Sequence, residues 1–175
     1  MNSKPYIFEL AIPTADGEFL ALYSERGLCG LRFPSDTRRP KRQTDNSQLP
    51  THIRRWYDLT AKALARALAG QPPEDLPPLD FSSGTDFQQQ VWQALSLICC
   101  GQTQSYGQVA SAIGNPKALR AVGGACGANP IPVLVPCHRV LAAHHRLGGF
   151  SGGLHWKRTL LMREGIGQIG ELGDK

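Results

Sequence analysis

The chain of 175 residues carries 41% hydrophobic side chains and a formal net charge of +5. This supports a packed core, excludes a disordered polyelectrolyte, and leaves room for one medium domain or a small domain joined to a larger one. Five cysteines, at 29, 99, 100, 126 and 137, include one adjacent pair and no repeated Cys-x-x-Cys spacing, which argues against a disulfide framework or a zinc finger and for a reducing cytoplasm. No run is long enough to span a membrane, and Met1-Asn2-Ser3-Lys4-Pro5 lacks the apolar stretch of a secretory signal. A cytoplasmic protein with no membrane attachment is therefore expected.

The net charge hides an asymmetry. Residues 1–86 hold eleven basic and eleven acidic side chains. Residues 87–163 hold seven basic ones (Lys117, Arg120, Arg139, Arg146, Lys157, Arg158, Arg163) and no Asp or Glu. A face that approaches a polyanion gains from losing its carboxylates, because each one would repel phosphate. Nucleic acid is the expected partner, against the alternative of an ordinary solvated face.

In chain order, the first third reads as strands at Tyr6–Ala11, Phe19–Tyr23 and Leu28–Phe33, with Ala15-Asp16-Gly17 as a hairpin turn. The polar stretch from Pro34 to Pro50 reads as a mobile loop. Ile53, Trp56, Tyr57, Leu64 and Leu68 recur at helical intervals and predict an amphipathic helix over 53–68, with Gly70 as its stop. The proline-rich stretch from Gln71 to Leu79 reads as a linker and divides the chain into units 1–80 and 81–175.

Thr85-Asp86-Phe87-Gln88 fits a capping box that opens a helix whose stripe is Phe87, Val91, Trp92, Leu95 and Ile98. Those aromatics suit a core better than a stacking platform. Ser105-Tyr106-Gly107-Gln108 opens a second helix through Ile113. Gly114-Asn115-Pro116 then ends it and starts the next, with Asn115 as N-cap and Pro116 as first helical residue, running toward Ala125. Two short helices across a glycine turn form a helix-turn-helix pattern, which also occurs as plain core packing. Its second helix is small nearly throughout, with one long cation, Arg120, that otherwise reads as a solvated arginine.

The apolar run Ile131-Pro132-Val133-Leu134-Val135 reads as a buried strand ending at Pro136-Cys137-His138-Arg139-Val140. A cysteine beside a histidine and an arginine suits a nucleophilic thiolate favoured by nearby positive charge, where an inert buried cysteine would have apolar neighbours. Successive residues of a strand point to opposite faces. Either the chain therefore turns at Cys137, or a water links thiol and imidazole. His138 needs a partner to fix its tautomer. With no carboxylate in 87–163, Glu164 is the leading candidate, at the end of a helix predicted over 155–164. It would complete a Cys–water–His–Glu relay; an exposed helix-terminal charge fits its position equally well. The glycine loop Gly148-Gly149-Phe150-Ser151-Gly152-Gly153 offers backbone groups to a flat ligand or forms a simple turn, and lacks a phosphate-binding pattern.

From about Thr85 to Gly165 these blocks resemble the O6-alkylguanine-DNA alkyltransferases, also called methylated-DNA–protein-cysteine methyltransferases. The segment from Ile131 to Val140 resembles the family signature. Ser105-Tyr106-Gly107-Gln108, Arg120-Ala121-Val122-Gly123, Asn129-Pro130 and Ser151-Gly152-Gly153 support it. The resemblance implies an α+β fold: a small N-terminal α/β, ribonuclease-H-like domain, then a mainly helical, winged-helix-like domain carrying the helix-turn-helix. It implies a monomer that binds double-stranded DNA in the minor groove, flips the damaged base, and moves the alkyl group from guanine O6, or from O4 of thymine, to its own cysteine once per molecule. No cofactor and no metal are implied.

Position by position, the resemblance makes Cys137 the acceptor, His138 its base through water, and Glu164 the group that orients His138. Arg120 would fill the gap left by the flipped base, and Tyr106 would help rotate the nucleotide. Backbone groups of Cys137, Val140 and Ser151 would read the guanine edge. Asn129 would tie the DNA-binding helix to the site, with Lys157 in support. Phe150 departs from the tyrosine often found before Ser-Gly-Gly in the family. Two rivals stand beside this reading: a cysteine hydrolase that turns over, and a helix-turn-helix module without chemistry.

Overall fold

A computed structural model describes residues 8–34, 49–143 and 146–167. Most of the segment read as a loop over 34–50 lies outside them, as do Tyr6 and Ile7 of the first predicted strand. The fold is mixed α/β. β1 (Phe8–Thr14), β2 (Gly17–Tyr23) and β3 (Leu28–Arg32) form an antiparallel sheet in that order. Its first hairpin closes at the predicted turn, with Thr14 paired to Gly17 and the Asp16 amide donating to Thr14 Oγ1 at 3.2 Å. α1 (Thr51–Leu68) packs on this sheet. The sheet offers two anchors to it: Tyr23 Oη donates to Thr60 Oγ1 at 2.8 Å, and Tyr57 Oη donates to the Ala11 carbonyl at 3.0 Å.

The proline-rich stretch does not leave the body of the protein. The Leu28 amide donates to the Pro78 carbonyl and the Asp80 amide donates to the Leu28 carbonyl, both at 2.8 Å. This pairing satisfies part of the β3 edge, which would otherwise expose unpaired backbone. Farther along β3 the Leu31 amide donates to the Pro130 carbonyl at 2.8 Å. One hydrophobic cluster therefore runs through both halves of the chain. Its seam is aromatic: Trp156 lies 5.5 Å from Phe19 and 4.9 Å from Phe33, ring centre to ring centre.

Both capping boxes form as the sequence predicts. Thr85 and Gln88 exchange side-chain–backbone bonds at the start of α2 (Asp86–Ser96). Ser105 and Gln108 do the same at the start of α3 (Tyr106–Ala112), and Gly114 follows its C-cap at φ +73°. Two short strands, β4 (Gln104–Ser105) and β5 (Val140–Leu141), pair in parallel beside them.

The next helix starts later than predicted. Asn115 and Pro116 do not cap it; they form a turn closed by the Ala118 amide on the Asn115 carbonyl at 3.0 Å. Proline at the second position of such a turn satisfies its fixed φ without opening a helix. α4 therefore runs Leu119–Gly127. The Trp92 indole of α2 donates to its Ala125 carbonyl at 2.8 Å, tying the two helices together. α5 (Leu154–Arg163) closes the structure, with Glu164 as its C-cap.

Candidate active site around Cys137

The apolar run before Cys137 is buried, as expected, but it is not a strand. Ile131–Val135 folds into a turn in which the Val135 amide donates to the Ile131 carbonyl at 2.9 Å. Val133 takes φ +75°, the one non-glycine residue with positive φ among those described. A β-branched residue there is strained by about 1–3 kcal/mol and persists only where its surroundings hold it. Asn129 does the holding. Buried itself, it donates Nδ2 to the Val135 carbonyl at 2.8 Å and to Cys137 Sγ at 3.1 Å, and accepts the Ile131 amide on Oδ1 at 3.0 Å.

Cys137–Arg139 then forms a single 3₁₀ turn. The chain therefore turns at Cys137, yet the thiol and the imidazole make no direct hydrogen bond. His138 is 1% exposed. Its Nε2 lies 2.9 Å from Glu164 Oε1. A carboxylate accepts only, so this contact fixes the proton on Nε2 and leaves Nδ1 basic. Nδ1 is buried and meets no hydrogen-bonding group among the described residues. Glu164, for which the sequence leaves a relay role and an exposed helix end equally open, has a side chain only 2% exposed.

Arg139 supplies what the sequence reading missed. Its Nε lies 3.0 Å from Glu164 Oε2, its Nη2 lies 2.9 Å from Oε1, and its Nη1 donates to the Ile98 carbonyl. The clue was present: a second cation directly after the histidine, in a stretch whose nearest acid is Glu164. Burial opposes ionisation of Glu164, but the bonds from His138 and Arg139 outweigh it and hold its carboxyl down at about 2. Burial lowers His138 from its ordinary value, against the pull of Glu164.

The expectation of a charge-stabilised thiolate is corrected. Cys137 is 3% exposed, and burial pushes its thiol up to about 11, with the Asn129 hydrogen bond and the Lys157 charge pulling the other way. The side chains of His138 and Arg139 are committed to Glu164, and His138 favours the thiolate only through its backbone amide. Lys157 is fully buried, and its ammonium donates to the Val140 carbonyl at 2.7 Å and to the Leu147 carbonyl. Burial lowers it to about 8. The Val140 carbonyl keeps a second lone pair after this bond.

Tyr106, half-buried at the start of α3, lies beside Gly148; a Cβ there would come within 2.9 Å of the phenol oxygen, and φ +64° also suits glycine. Arg120 and Ser151 do not join the buried cluster and are exposed, one on α4 and the other in the glycine loop. Phe150 packs edge-on against Phe33 at 5.8 Å. Among the described residues no group of three or more His, Cys, Asp or Glu could hold a metal, and no helix is long and apolar enough to cross a membrane.

A buried thiol, a histidine bonded to a clamped carboxylate and a pair of short helices lie together in the second half of the chain. Residues 86–166 match the family model for the DNA-binding domain of 6-O-methylguanine DNA methyltransferase. The crystal structure of Mycobacterium tuberculosis OGT in complex with DNA aligns with a TM-score of 0.75 and 38% identity, over 90% of this chain and 92% of that one. The bifunctional transcriptional activator/DNA repair enzyme Ada of Escherichia coli is 41% identical over 160 residues, 85% of this chain and 42% of Ada. A methylated-DNA–protein-cysteine methyltransferase of Haemophilus influenzae is 55% identical over 86 residues, 49% of this chain and 48% of that protein. The matched stretches thus span less than half the length of these two relatives. The chain belongs to the methylated-DNA–protein-cysteine methyltransferase family.

Proposed function

We propose that the chain repairs alkylated DNA directly, moving the alkyl group from O6 of guanine, and from O4 of thymine, to Sγ of Cys137. The observation that supports this reading is the buried His138–Glu164 contact next to Cys137, with Asn129 on the sulfur. The thiol is protonated at neutral pH, so the reaction needs a base. His138 Nδ1, held basic by Glu164, takes the thiol proton through one water. Sγ attacks the alkyl carbon, the carbon–O6 bond breaks, and the proton passes back to the departing guanine at N1. The product thioether has no leaving group comparable to O6, so each molecule reacts once.

A sulfur this deep does not reach O6 of a stacked base, whose edge faces the major groove. The damaged nucleotide therefore rotates out of the duplex, at a cost of a few kcal/mol that a weakened alkylguanine pair lowers. α3 and α4 dock in the minor groove, Arg120 fills the vacated stack, and Tyr106 assists rotation and contacts the base. Backbone groups of Cys137, Val140 and Ser151 read its edge. Lys157 supports the site from below through the Val140 carbonyl. Residues 81–175 form this DNA-binding and alkyl-transfer unit, winged-helix-like in α3, α4 and β5. Residues 1–80 form a ribonuclease-H-like unit, and the protein acts as a monomer without metal or cofactor.

The test is mass spectrometry of the chain after mixing with DNA containing O6-methylguanine. One methyl mass on the peptide containing Cys137, with a yield that stops at one per molecule, is expected. An unmodified peptide after prolonged incubation, or continuous turnover, overturns the proposal.

A further inference from the structure

The carboxylate of Glu164 is held by His138 and Arg139, but its backbone is held from the other half of the chain. The neighbouring Arg163 turns its guanidinium away from the site. Nη1 and Nη2 each donate to one carboxylate oxygen of Asp16 at 2.7 Å, in the tip of the β1–β2 hairpin. Nη1 also donates to the Leu68 carbonyl at 2.9 Å, capping the end of α1. Gly70, just past that end at φ +73°, lies flat against the same peptide: a Cβ there would come within 1.9 Å of the Arg163 carbonyl oxygen. Cys100 Sγ donates to the Gly70 carbonyl at 3.3 Å, and the Gly101 amide donates to Glu164 Oε2 at 3.4 Å. The end of α5 is thus gripped from the hairpin, from the end of α1 and from the loop after α2, around the residue before the relay carboxylate.

From this geometry we infer that Asp16 and Arg163 are positioning residues for alkyl transfer: the hairpin of the N-terminal unit clasps the peptide before Glu164 and so sets where its carboxylate meets His138. The inference rests on the transfer reading above. A planar guanidinium fork fixes direction as well as distance, which a lysine would not do. The hydrogen bond from Arg163 holds the Asp16 carboxyl below its ordinary range. The pair is partly exposed, with side chains 34% and 23% accessible, and such pairs contribute little to stability. Its effect is therefore geometric. A displacement far smaller than a side chain, made away from the chemistry, still slows a preorganised reaction.

The experiment compares the parent chain with Asp16→Ala, Asp16→Glu, Arg163→Ala and Arg163→Lys. The transfer rate constant at saturating methylated DNA should fall about tenfold in both alanine variants, with the half-saturating DNA concentration unchanged. The same fall is expected with free O6-benzylguanine, because the relay is shared and DNA docking is not. Asp16→Glu should recover most of the rate; Arg163→Lys should not. Nitrogen-15 spectra of His138 should show one Nε2-protonated tautomer in the parent and a mixture in the alanine variants. That readout stands even if the parent transfers nothing, so failure of the clasp and failure of the transfer reading remain distinct. An unchanged rate constant and an unchanged tautomer in both alanine variants, with or without a lower melting temperature, would reduce the clasp to a surface staple.

Discussion

The turn from Asn129 to Arg139 and the helix α4 lie next to each other in the chain and are built on opposite plans. In the turn almost every polar group is committed. Asn129 makes three bonds, His138 and Arg139 share one carboxylate, and a strained Val133 is held in place. In α4 the buried residues are Val122, Ala125 and Cys126, while Arg120 and several small residues face outward. Chemistry on a deep sulfur needs geometry fixed in advance, so that face is over-determined. A surface that meets a deformable duplex needs charge and close approach, so it is left bare. The difference predicts that substitutions in the turn will cost stability and rate together, and that those on the outward face of α4 will cost rate on DNA alone.

The largest effect should come from Glu164→Gln. It leaves the Arg139 guanidinium buried without its counter-charge and frees the His138 tautomer. A loss on the order of 3–5 kcal/mol in unfolding free energy is expected, with transfer slowed by about 100-fold. The acid limb gives the sign independently. A carboxyl ordinarily near 4.5 and held at about 2 contributes stability that is present above pH 4.5 and is lost as pH falls through 2. That is about 3 kcal/mol, and chemical denaturation across this range should show the loss in the parent and a flatter course in the variant. Asn129→Ala comes next: two buried backbone groups lose their partner and the sulfur loses its donor, for about 3 kcal/mol. A stability change under about 1 kcal/mol there would mean that the turn holds itself and the comparison fails.

Arg120→Ala should separate the two regions. Its side chain is exposed, so stability should stay within about 0.5 kcal/mol of the parent. Transfer from duplex DNA should fall about tenfold, while reaction with free O6-benzylguanine stays the same. Equal losses on both substrates would place Arg120 in the chemistry and blur the division. Binding to duplex should also weaken as salt is raised, with a slope that shrinks by about one in this variant if Arg120 meets a phosphate, and not if it fills the stack.

What the sequence makes legible follows the same division. Both capping boxes are readable because a side chain and a backbone amide three residues apart settle the matter locally. α1 is readable from its apolar spacing. The run at 131–135 is not, because five apolar residues have no period that separates a buried strand from a buried turn. What turns it is a side-chain amide at Asn129, reaching six and eight residues ahead. The start of α4 is misread for a local reason, since Asn115-Pro116 fits a turn as well as a helix start. Glu164 is found by elimination among acids and Arg139 stands beside the histidine, whereas the grip of Gly70 on α5 is a contact between distant segments that no local pattern encodes.

The smallest effect tests the most specific claim, that Cys137 is a buried thiol awaiting a base. An ordinary thiol near 9 would react about tenfold faster for each pH unit between 7 and 9, as thiolate accumulates. Here the thiol is held up to about 11, so attack by its small thiolate fraction would climb just as steeply, whereas attack assisted by His138 would not. His138, lowered below its ordinary 6.5, is already neutral at pH 7. The rate should therefore rise with pH only below about 6.5 and gain nothing above 7. One group does titrate in the upper window. Lys157, at about 8, loses the charge that favours the developing thiolate. The rate should then fall as pH rises through 8, by about threefold or more for a buried charge. Single-turnover rates with O6-benzylguanine from pH 6 to 9 measure this without DNA docking. A climb toward pH 9 would mean that the sulfur ionises on its own and that the relay beneath it is scaffolding.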